Sequence, residues 1–107
     1  MYPLSVHYVN KQAEKSLKSI PVTKARELLD DIELIRYGIP PLNGDIDTLQ
    51  SISSKVKELR INGRPAYRLA YVIDGPHLTI LHAFKKTANG RDKENLETVK
   101  SRFNLLY

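Results

Sequence analysis

The chain has 107 residues, of which 41% are hydrophobic and 27% charged, and its formal net charge is +5. This hydrophobic content excludes a wholly disordered protein, and the lack of cysteine excludes disulfides and thiolate metal sites. No apolar run approaches the roughly 18 residues that a membrane-spanning helix needs.

The length suits one domain over residues 1–107. The N-terminal stretch MYPLSVHYVNK lacks the basic head and apolar core of a signal peptide. Together with the lack of cysteine, this predicts a cytoplasmic protein with no membrane partner.

The positive charge is concentrated in the second half of the chain. Residues 1–56 contain seven Lys/Arg and seven Asp/Glu, whereas residues 57–107 contain ten Lys/Arg and five Asp/Glu. The whole excess therefore lies in the second segment. Such a patch favours a polyanionic partner, most simply RNA or DNA, although a solvated basic surface that only aids solubility is an equally common explanation.

The N-terminal third predicts a strand and two helices. LSVHYV alternates apolar and polar residues, which indicates a strand near residues 3–8. Asn10 is placed to cap a short helix that Pro21 ends, and Thr23 to cap a second helix that ends at Gly38. The apolar faces of the two helices are Ala13, Leu17 and Ile20, and Ala25, Leu28, Leu29, Ile32 and Ile35.

The rest of the chain predicts a loop, three strands and a helix. Residues 40–55 are turn-rich and polar and indicate a surface loop with a short helical turn. The strands are expected at 56–61, 66–73 and 77–84. A loop over Thr87–Arg91 leads to a helix from about Asp92, with one face formed by Leu96, Val99 and Phe103. This order predicts an α+β fold in which an N-terminal strand and a helical hairpin pack on a small antiparallel sheet.

The first predicted hairpin brings two arginines together. Successive strand residues point to opposite faces, so Leu59 and Ile61 share an apolar face with Tyr67, Leu69, Tyr71 and Ile73. Arg60 and Arg68 then lie directly opposite each other on the other face. Like charges in that position destabilise a sheet, so the pair predicts an anion between the side chains. Glu58 shares this face and could partly neutralise them.

The second predicted hairpin extends the face that carries the arginines. Its register places Ala83 opposite Arg68, and Lys85 follows on the same face. His82 is then expected on the core face, opposite Leu69. Small residues make a shallow floor among the cations that a nucleic-acid base could approach: Ala66, Ala70 and Ala83.

No residue set indicates a metal or a cofactor. The chain lacks a Gly-rich phosphate loop, and its histidines, His7, His77 and His82, lack metal-ligand spacing. Asp30 and Asp31 are expected on a solvated helix face. RNA can be cut without metal when its 2′-hydroxyl attacks the adjacent phosphorus, and arginine and lysine suit the phosphate binding and charge stabilisation that this needs. Composition does not distinguish such a site from one that only binds RNA.

Residues 56–87, VKELRINGRPAYRLAYVIDGPHLTILHAFKKT, resemble the core of RelE/ParE-superfamily toxins, particularly their HigB-like, phage-derived branch. The shared pattern is ELR, a short loop, YR with a nearby Tyr, an apolar strand ending in LHAFKK, and a basic C-terminal helix. The N-terminal strand and helical hairpin also match the RelE-like fold. The resemblance implies the toxin of a type II toxin–antitoxin system, an mRNA interferase that inhibits translation by cutting messenger RNA on the ribosome without metal or cofactor.

The resemblance also implies partners and site residues. The partners are a cognate antitoxin, in a toxin–antitoxin hetero-oligomer, and the ribosome with its mRNA. Arg68 would contact the scissile phosphate with Arg60 beside it, and Lys85 or Lys86 would stabilise charge or donate a proton. His82 is a further catalytic candidate, although it is also interpreted as a core residue. Tyr67 and Tyr71, in the strand predicted at 66–73, are interpreted as core residues as well. The candidates for RNA binding are Lys57, Arg64 and Arg91.

Two alternatives remain open. One is a non-catalytic or degenerate RNA-binding member of the family, which Glu58 supports because it stands where ribonucleases of the wider family can carry a basic residue. The other is a ParE-like gyrase inhibitor with the same fold. The LHAFKK segment favours the ribonuclease branch over the gyrase inhibitor.

Overall fold

The computed structural model describes residues 2–86 and 92–107, which form three helices and five strands. The predicted loop Thr87–Arg91 lies outside the described residues. In chain order the elements are β1 (Ser5–Tyr8), α1 (Lys11–Lys18), α2 (Val22–Arg36), β2 (Asp45–Thr48), β3 (Val56–Ile61), β4 (Tyr67–Asp74), β5 (His77–Lys85) and α3 (Lys93–Asn104). None of the helices in this part of the chain has the length and apolar content needed to cross a membrane.

The strands form one sheet in the order β1-β5-β4-β3-β2. Neighbouring strands are antiparallel except at one edge, where β1 pairs in parallel with β5. The α+β prediction is confirmed, whereas the expectation of a purely antiparallel sheet is wrong at this edge. A parallel pair needs a long crossover connection, and the chain between Tyr8 and His77 provides it.

The other edge strand, β2, corrects the prediction of a loop over residues 40–55. It pairs with β3 from Asp45 opposite Arg60 to Thr48 opposite Lys57. Its sequence, DIDT, is too short and polar to stand out as a strand. The strand forms because β3 offers it a free edge and because the turn before it is held in place.

Asp31 holds that turn. Its carboxylate is fully buried and accepts hydrogen bonds of 2.8–3.1 Å from three successive backbone N–H groups, those of Leu42, Asn43 and Gly44. The expectation that Asp31 lies on a solvated face is therefore wrong, because these donors replace water around its charge. Gly44 is tightly placed as well, since a Cβ there would collide with the backbone carbonyl of Arg60.

The helices α1 and α2 cover one face of the sheet, here called the first face. Asn10 caps α1 as predicted, its side chain accepting from the Ala13 N–H at 2.8 Å. The predicted start of α2 is two residues too late, because the N-cap is Pro21 and not Thr23. The apolar stripes of both helices pack on β3, β4 and β5 in one core cluster: Leu17, Leu28, Ile32, Ile35, Leu59, Leu69, Tyr71, Leu78 and Ile80. Tyr71 is only 2% exposed, which confirms it as a core residue, and this burial raises its pKa to about 12.

The helix α3 covers much of the opposite, second face. Val99 packs with Val56, Ala70, Val72 and Leu81 in a second core cluster. Ala70 is fully buried in it. The expected open floor of small residues is therefore wrong, because α3 packs over Ala70 and because Ala83 belongs to the core cluster of the first face. Among the described residues, a cleft remains open on this face near Arg60 and Arg68.

A β-bulge in β5 changes which residues share the second face. Close to the turn the pairing is as predicted, but between Ala70 and Tyr71 the register shifts, and Leu81 is the extra residue. Beyond the bulge Arg68 pairs with Phe84 instead of Ala83, and His82 pairs with Ala70 instead of Leu69. The predicted faces of three residues are therefore wrong: His82 lies on the second face, whereas Ala83 and Lys85 lie on the first, opposite Leu69 and Tyr67.

Candidate functional site: an ionic cleft between the sheet and the last helix

A cleft of about 190 Å³ opens where α3 stops covering the second face. We call it the arginine cleft. It is lined by three cations, two carboxylates and three apolar side chains: Arg60, Arg68, Lys86, Glu58, Asp92, Leu49, Phe84 and Leu96. Strands β3 and β4 position the arginines, the end of β5 positions Lys86, and the start of α3 closes one side.

Arg60 and Arg68 are cross-strand partners, as predicted. The anion between them belongs to the protein itself. One carboxylate oxygen of Glu58, Oε1, lies 3.1 Å from Nε of Arg60 and 3.7 Å from Nε of Arg68. The Glu58 side chain is only 7% exposed, so this shared contact relieves the arginine–arginine repulsion in a poorly hydrated place.

The two arginines differ in exposure. The side chain of Arg68 is 8% exposed, and its Nη1 donates to the carbonyl of Tyr67 at 3.1 Å. Burial lowers the pKa of Arg68, and the nearby Glu58 acts against that shift. Arg60 is 37% exposed and also pairs with Asp47 of the edge strand β2. Arg68 is thus a fixed cation at the back of the cleft, and Arg60 a more accessible one at its rim.

Lys86 supplies the third cation. Its side chain is 48% exposed and its Nζ lies 3.0 Å from a carboxylate oxygen of Asp92, just before α3. The cleft therefore carries three positive and two negative charges when all five groups are ionised. An incoming anion meets cations that are already placed, but it competes with carboxylates for them.

His82 lies on the second face but beside α3, outside the cleft lining. Its Nδ1 is 3.1 Å from Nη1 of Arg102, and its Nε2 is 2.9 Å from Oδ1 of Asn95. Arginine can only donate, so Nδ1 accepts and Nε2 carries the proton. Burial lowers the pKa of His82, and Arg102 lowers it further, against the effect of Asn95. These contacts describe a neutral imidazole that joins β5 to α3.

The remaining predicted residues lie elsewhere. Lys85 is exposed on the first-face side of β5. Lys57 donates to Oγ1 of Thr48 at 2.8 Å, and Arg64 is exposed in the loop between β3 and β4. Arg91 lies outside the described residues. The structure therefore brings together Arg60, Arg68 and Lys86, and leaves Lys57, Arg64, Lys85 and His82 outside the cleft.

Two acidic residues of the site were missed. Asp47 belongs to a strand that was predicted as a loop, and Asp92 was read only as the start of a helix. The alternation in DIDT was the one signal that could have placed Asp47 on the face of Arg60. Among the described residues, no group of three or more His, Asp or Glu side chains is arranged to hold a metal.

The chain can be compared with known proteins at this point. Residues 15–104 match the family model described as phage derived protein Gp49-like (DUF891). No curated protein has a significantly similar sequence. Among solved structures, a chain of the toxin–antitoxin complex RelBE2 from Mycobacterium tuberculosis superimposes with a TM-score of 0.54 at 20% identity, over 80% of this chain and 94% of that one. At this identity the match shows a shared RelE-like fold.

Proposed function

This chain belongs to the Gp49-like family of phage-derived proteins, and we propose that it is the toxin of a type II toxin–antitoxin pair, an endoribonuclease that cuts messenger RNA on the ribosome. The proposal places it in the HigB-like branch and in the cytoplasm, where its substrate is translated. The observation that carries it is the arginine cleft, which gathers Arg60, Arg68 and Lys86 around one hollow.

The proposed reaction needs no metal. The 2′-oxygen of a ribose attacks the adjacent phosphorus, the bond from phosphorus to the 5′-oxygen breaks, and a 2′,3′-cyclic phosphate and a 5′-hydroxyl result. One proton passes from the 2′-hydroxyl to a water molecule, and one proton is delivered to the departing 5′-oxygen. Negative charge grows on the phosphoryl oxygens, and fixed donors aimed at them lower the barrier by a few kcal/mol.

The residues of the cleft divide these tasks by position. Arg68 at the back and Arg60 at the rim bind the phosphoryl oxygens, a geometry that guanidinium groups suit. Lys86 stabilises the developing charge or gives the proton to the 5′-oxygen. Of the two candidate lysines, Lys86 is the better choice because it lines the cleft and Lys85 does not. We give His82 no part in proton transfer, because both of its ring nitrogens are engaged.

The neighbouring pair of lysines provides the test. The parent, Lys86→Ala and Lys85→Ala would each be expressed under an inducible promoter in bacteria, with growth and the 5′ ends of messages recorded. We expect the parent and Lys85→Ala to stop growth and to cut messages within translated codons. Lys86→Ala should lose at least tenfold in cleavage, since one positioned charge or proton donor is missing.

Either of two results would overturn the proposed nuclease, and a third would overturn the role of Lys86 alone. Parent protein that is soluble and folded but leaves messages intact would remove the nuclease. Growth arrest with broken DNA and intact messages would indicate a gyrase inhibitor instead. Equal loss in both lysine variants would leave a nuclease but remove the special role of Lys86.

A non-catalytic RNA-binding protein is the second candidate, and Glu58 favours it. This carboxylate already occupies the position between the arginines that a phosphate would take. In either case the partner that restrains the protein is a cognate antitoxin in a hetero-oligomer, whose acidic side chains would suit the same cations. Binding of RNA by the purified chain without cleavage on ribosomes would decide for this candidate.

A further inference from the structure

A second, larger hollow continues from the arginine cleft along α3. It measures about 440 Å³, and the two hollows share Lys86, Asp92 and Leu96 as lining residues. We call it the α3 groove. Its volume lies within the range of about 300–1,000 Å³ that is typical of sites for small organic ligands. The groove and the arginine cleft therefore adjoin each other, with the ion pair of Lys86 and Asp92 at their common border.

Two further lysines line the α3 groove. Lys93 and Lys100 are seven residues apart on α3, so they lie on the same face of the helix, about 10 Å apart along its axis. Both are exposed, and neither forms a salt bridge with another described residue. Glu97 lies between them on the helix and also lines the groove, so the lysines do not form an uninterrupted positive strip.

Besides Glu97, two apolar side chains line the groove between the lysines. They are Leu96 of α3 and Ile52 of the turn between β2 and β3, and both side chains are half-buried. A single-stranded nucleic acid alternates charged phosphates with flat, largely apolar bases. Lysines at the ends of a groove and apolar side chains between them match that alternation.

We propose that the α3 groove binds the stretch of single-stranded RNA that adjoins the phosphate held in the arginine cleft. The inference rests on the proposed function, which supplies that phosphate. Lys93 and Lys100 contact backbone phosphates, and one base lies against Ile52 and Leu96. Adjacency to the arginine cleft favours RNA over an acidic peptide, because the strand that enters the cleft must continue past its rim.

The salt dependence of RNA binding tests this assignment. The probe is a short fluorescein-labelled RNA with 2′-O-methyl groups, which the proposed reaction cannot cut, and anisotropy gives its affinity for the full chain at several salt concentrations. The test variant is Lys93→Ala/Lys100→Ala. The control is Lys11→Ala/Lys15→Ala on α1, which removes the same charge from the opposite face of the sheet.

Each phosphate contact contributes about −0.7 to the slope of log K against log salt for single strands. We therefore expect the slope of the test variant to be shallower by about 1.4, and the slope of the control to equal that of the parent. If the two lysines only stabilised the fold, their substitution would weaken RNA binding without changing the slope. An unchanged slope in the test variant, or parent protein that binds no RNA, overturns the inference.

The outcome is separate from that of the proposed nuclease. A shallower slope together with intact messages in induced cells would keep the groove and remove the cleavage reaction. Cut messages with an unchanged slope would keep the nuclease and remove the groove. If Lys93→Ala/Lys100→Ala lost binding to an acidic antitoxin peptide but bound RNA as the parent does, the groove would be assigned to a protein partner. That result would overturn the inference.

Discussion

The two faces of the sheet are built from the same strands and do different work. The first face is apolar along β3 and β4, where Leu59 and Leu69 pair beneath α1 and α2. The next pair of the same two strands is Arg60 and Arg68, and its side chains point to the second face. Alternation of side chains in a strand thus places an ion cluster directly behind a hydrophobic core.

The difference shows how a small domain can hold buried charge. Arg68 and Glu58 are nearly as buried as the core leucines, and each is paired. Apolar burial on the first face stabilises the fold. This stabilisation offsets the free-energy cost of removing the charged groups of the second face from water. The comparison predicts that substitutions on the first face mainly change stability, whereas those on the second change stability and anion binding together.

The largest effect is expected on the first face. Leu69→Ala removes a fully buried side chain from the core under α1 and α2, and we expect the free energy of unfolding to fall by about 2–5 kcal/mol. Urea unfolding followed by circular dichroism measures it. A loss below about 1 kcal/mol would show that the core collapses around the cavity and that the first face is less tightly packed than described.

The next largest effect is expected from Glu58→Gln, which changes the ion cluster of the second face. Two arginines then lose their shared carboxylate, although Arg60 keeps Asp47, and we expect a loss of about 1–3 kcal/mol in the free energy of unfolding. Added sulfate should recover part of this loss, because an anion can take the place of the carboxylate. Leu69→Ala should show no such recovery.

The matched control for this change is Glu33→Gln. Glu33 pairs with Arg36 on the surface of α2, with its side chain 59% exposed, and such pairs contribute about 0–1 kcal/mol. Equal losses from the two Glu→Gln variants, or no effect of sulfate on Glu58→Gln, would contradict an anion site between the arginines.

The smallest effect is a pH dependence from His82. Its pKa is lowered below the usual 6.5 in the folded protein, mainly by burial. The unfolded chain therefore binds the proton first, and the stability that His82 contributes is complete above about pH 6.5 and is lost as the pH falls through the folded pKa. The free energy of unfolding should fall by at most about 1.4 kcal/mol per pH unit from this group.

Unfolding of the parent and of His82→Gln between pH 5 and pH 7.5 isolates this contribution, since the carboxylates titrate in both. The difference between the two proteins should shrink as the pH falls. A difference that stays constant would mean that the pKa of His82 is the same in the folded and the unfolded protein.

The sequence predicted the parts of the fold that depend on local pattern. The spacing of Leu28, Ile32 and Ile35 predicted α2, and the alternation around Leu59 and Leu69 predicted the first hairpin and its Arg60–Arg68 pair. Both follow from rules that operate within a few residues. The anion predicted between the arginines is supplied by the protein's own Glu58.

Other features depend on distant parts of the chain. The strand β2 forms because Asp31, on α2, holds the turn before it, and no local pattern reports that contact. The lysine that lines the cleft could not be chosen from sequence, because the bulge at Leu81 decides it. The catalytic roles of Arg60, Arg68 and Lys86 stay predictions.

The bulge at Leu81 also displaces the alternation of side chains along β5 by one residue. Residues before and after it follow the same alternation but are out of step by one. Deleting a single residue near this point would exchange the faces of Lys85 and Lys86 without changing either side chain. Evolution within such a strand can therefore move a charge from one side of the sheet to the other by a change in length alone, and aligned positions in two relatives correspond only where both keep the extra residue.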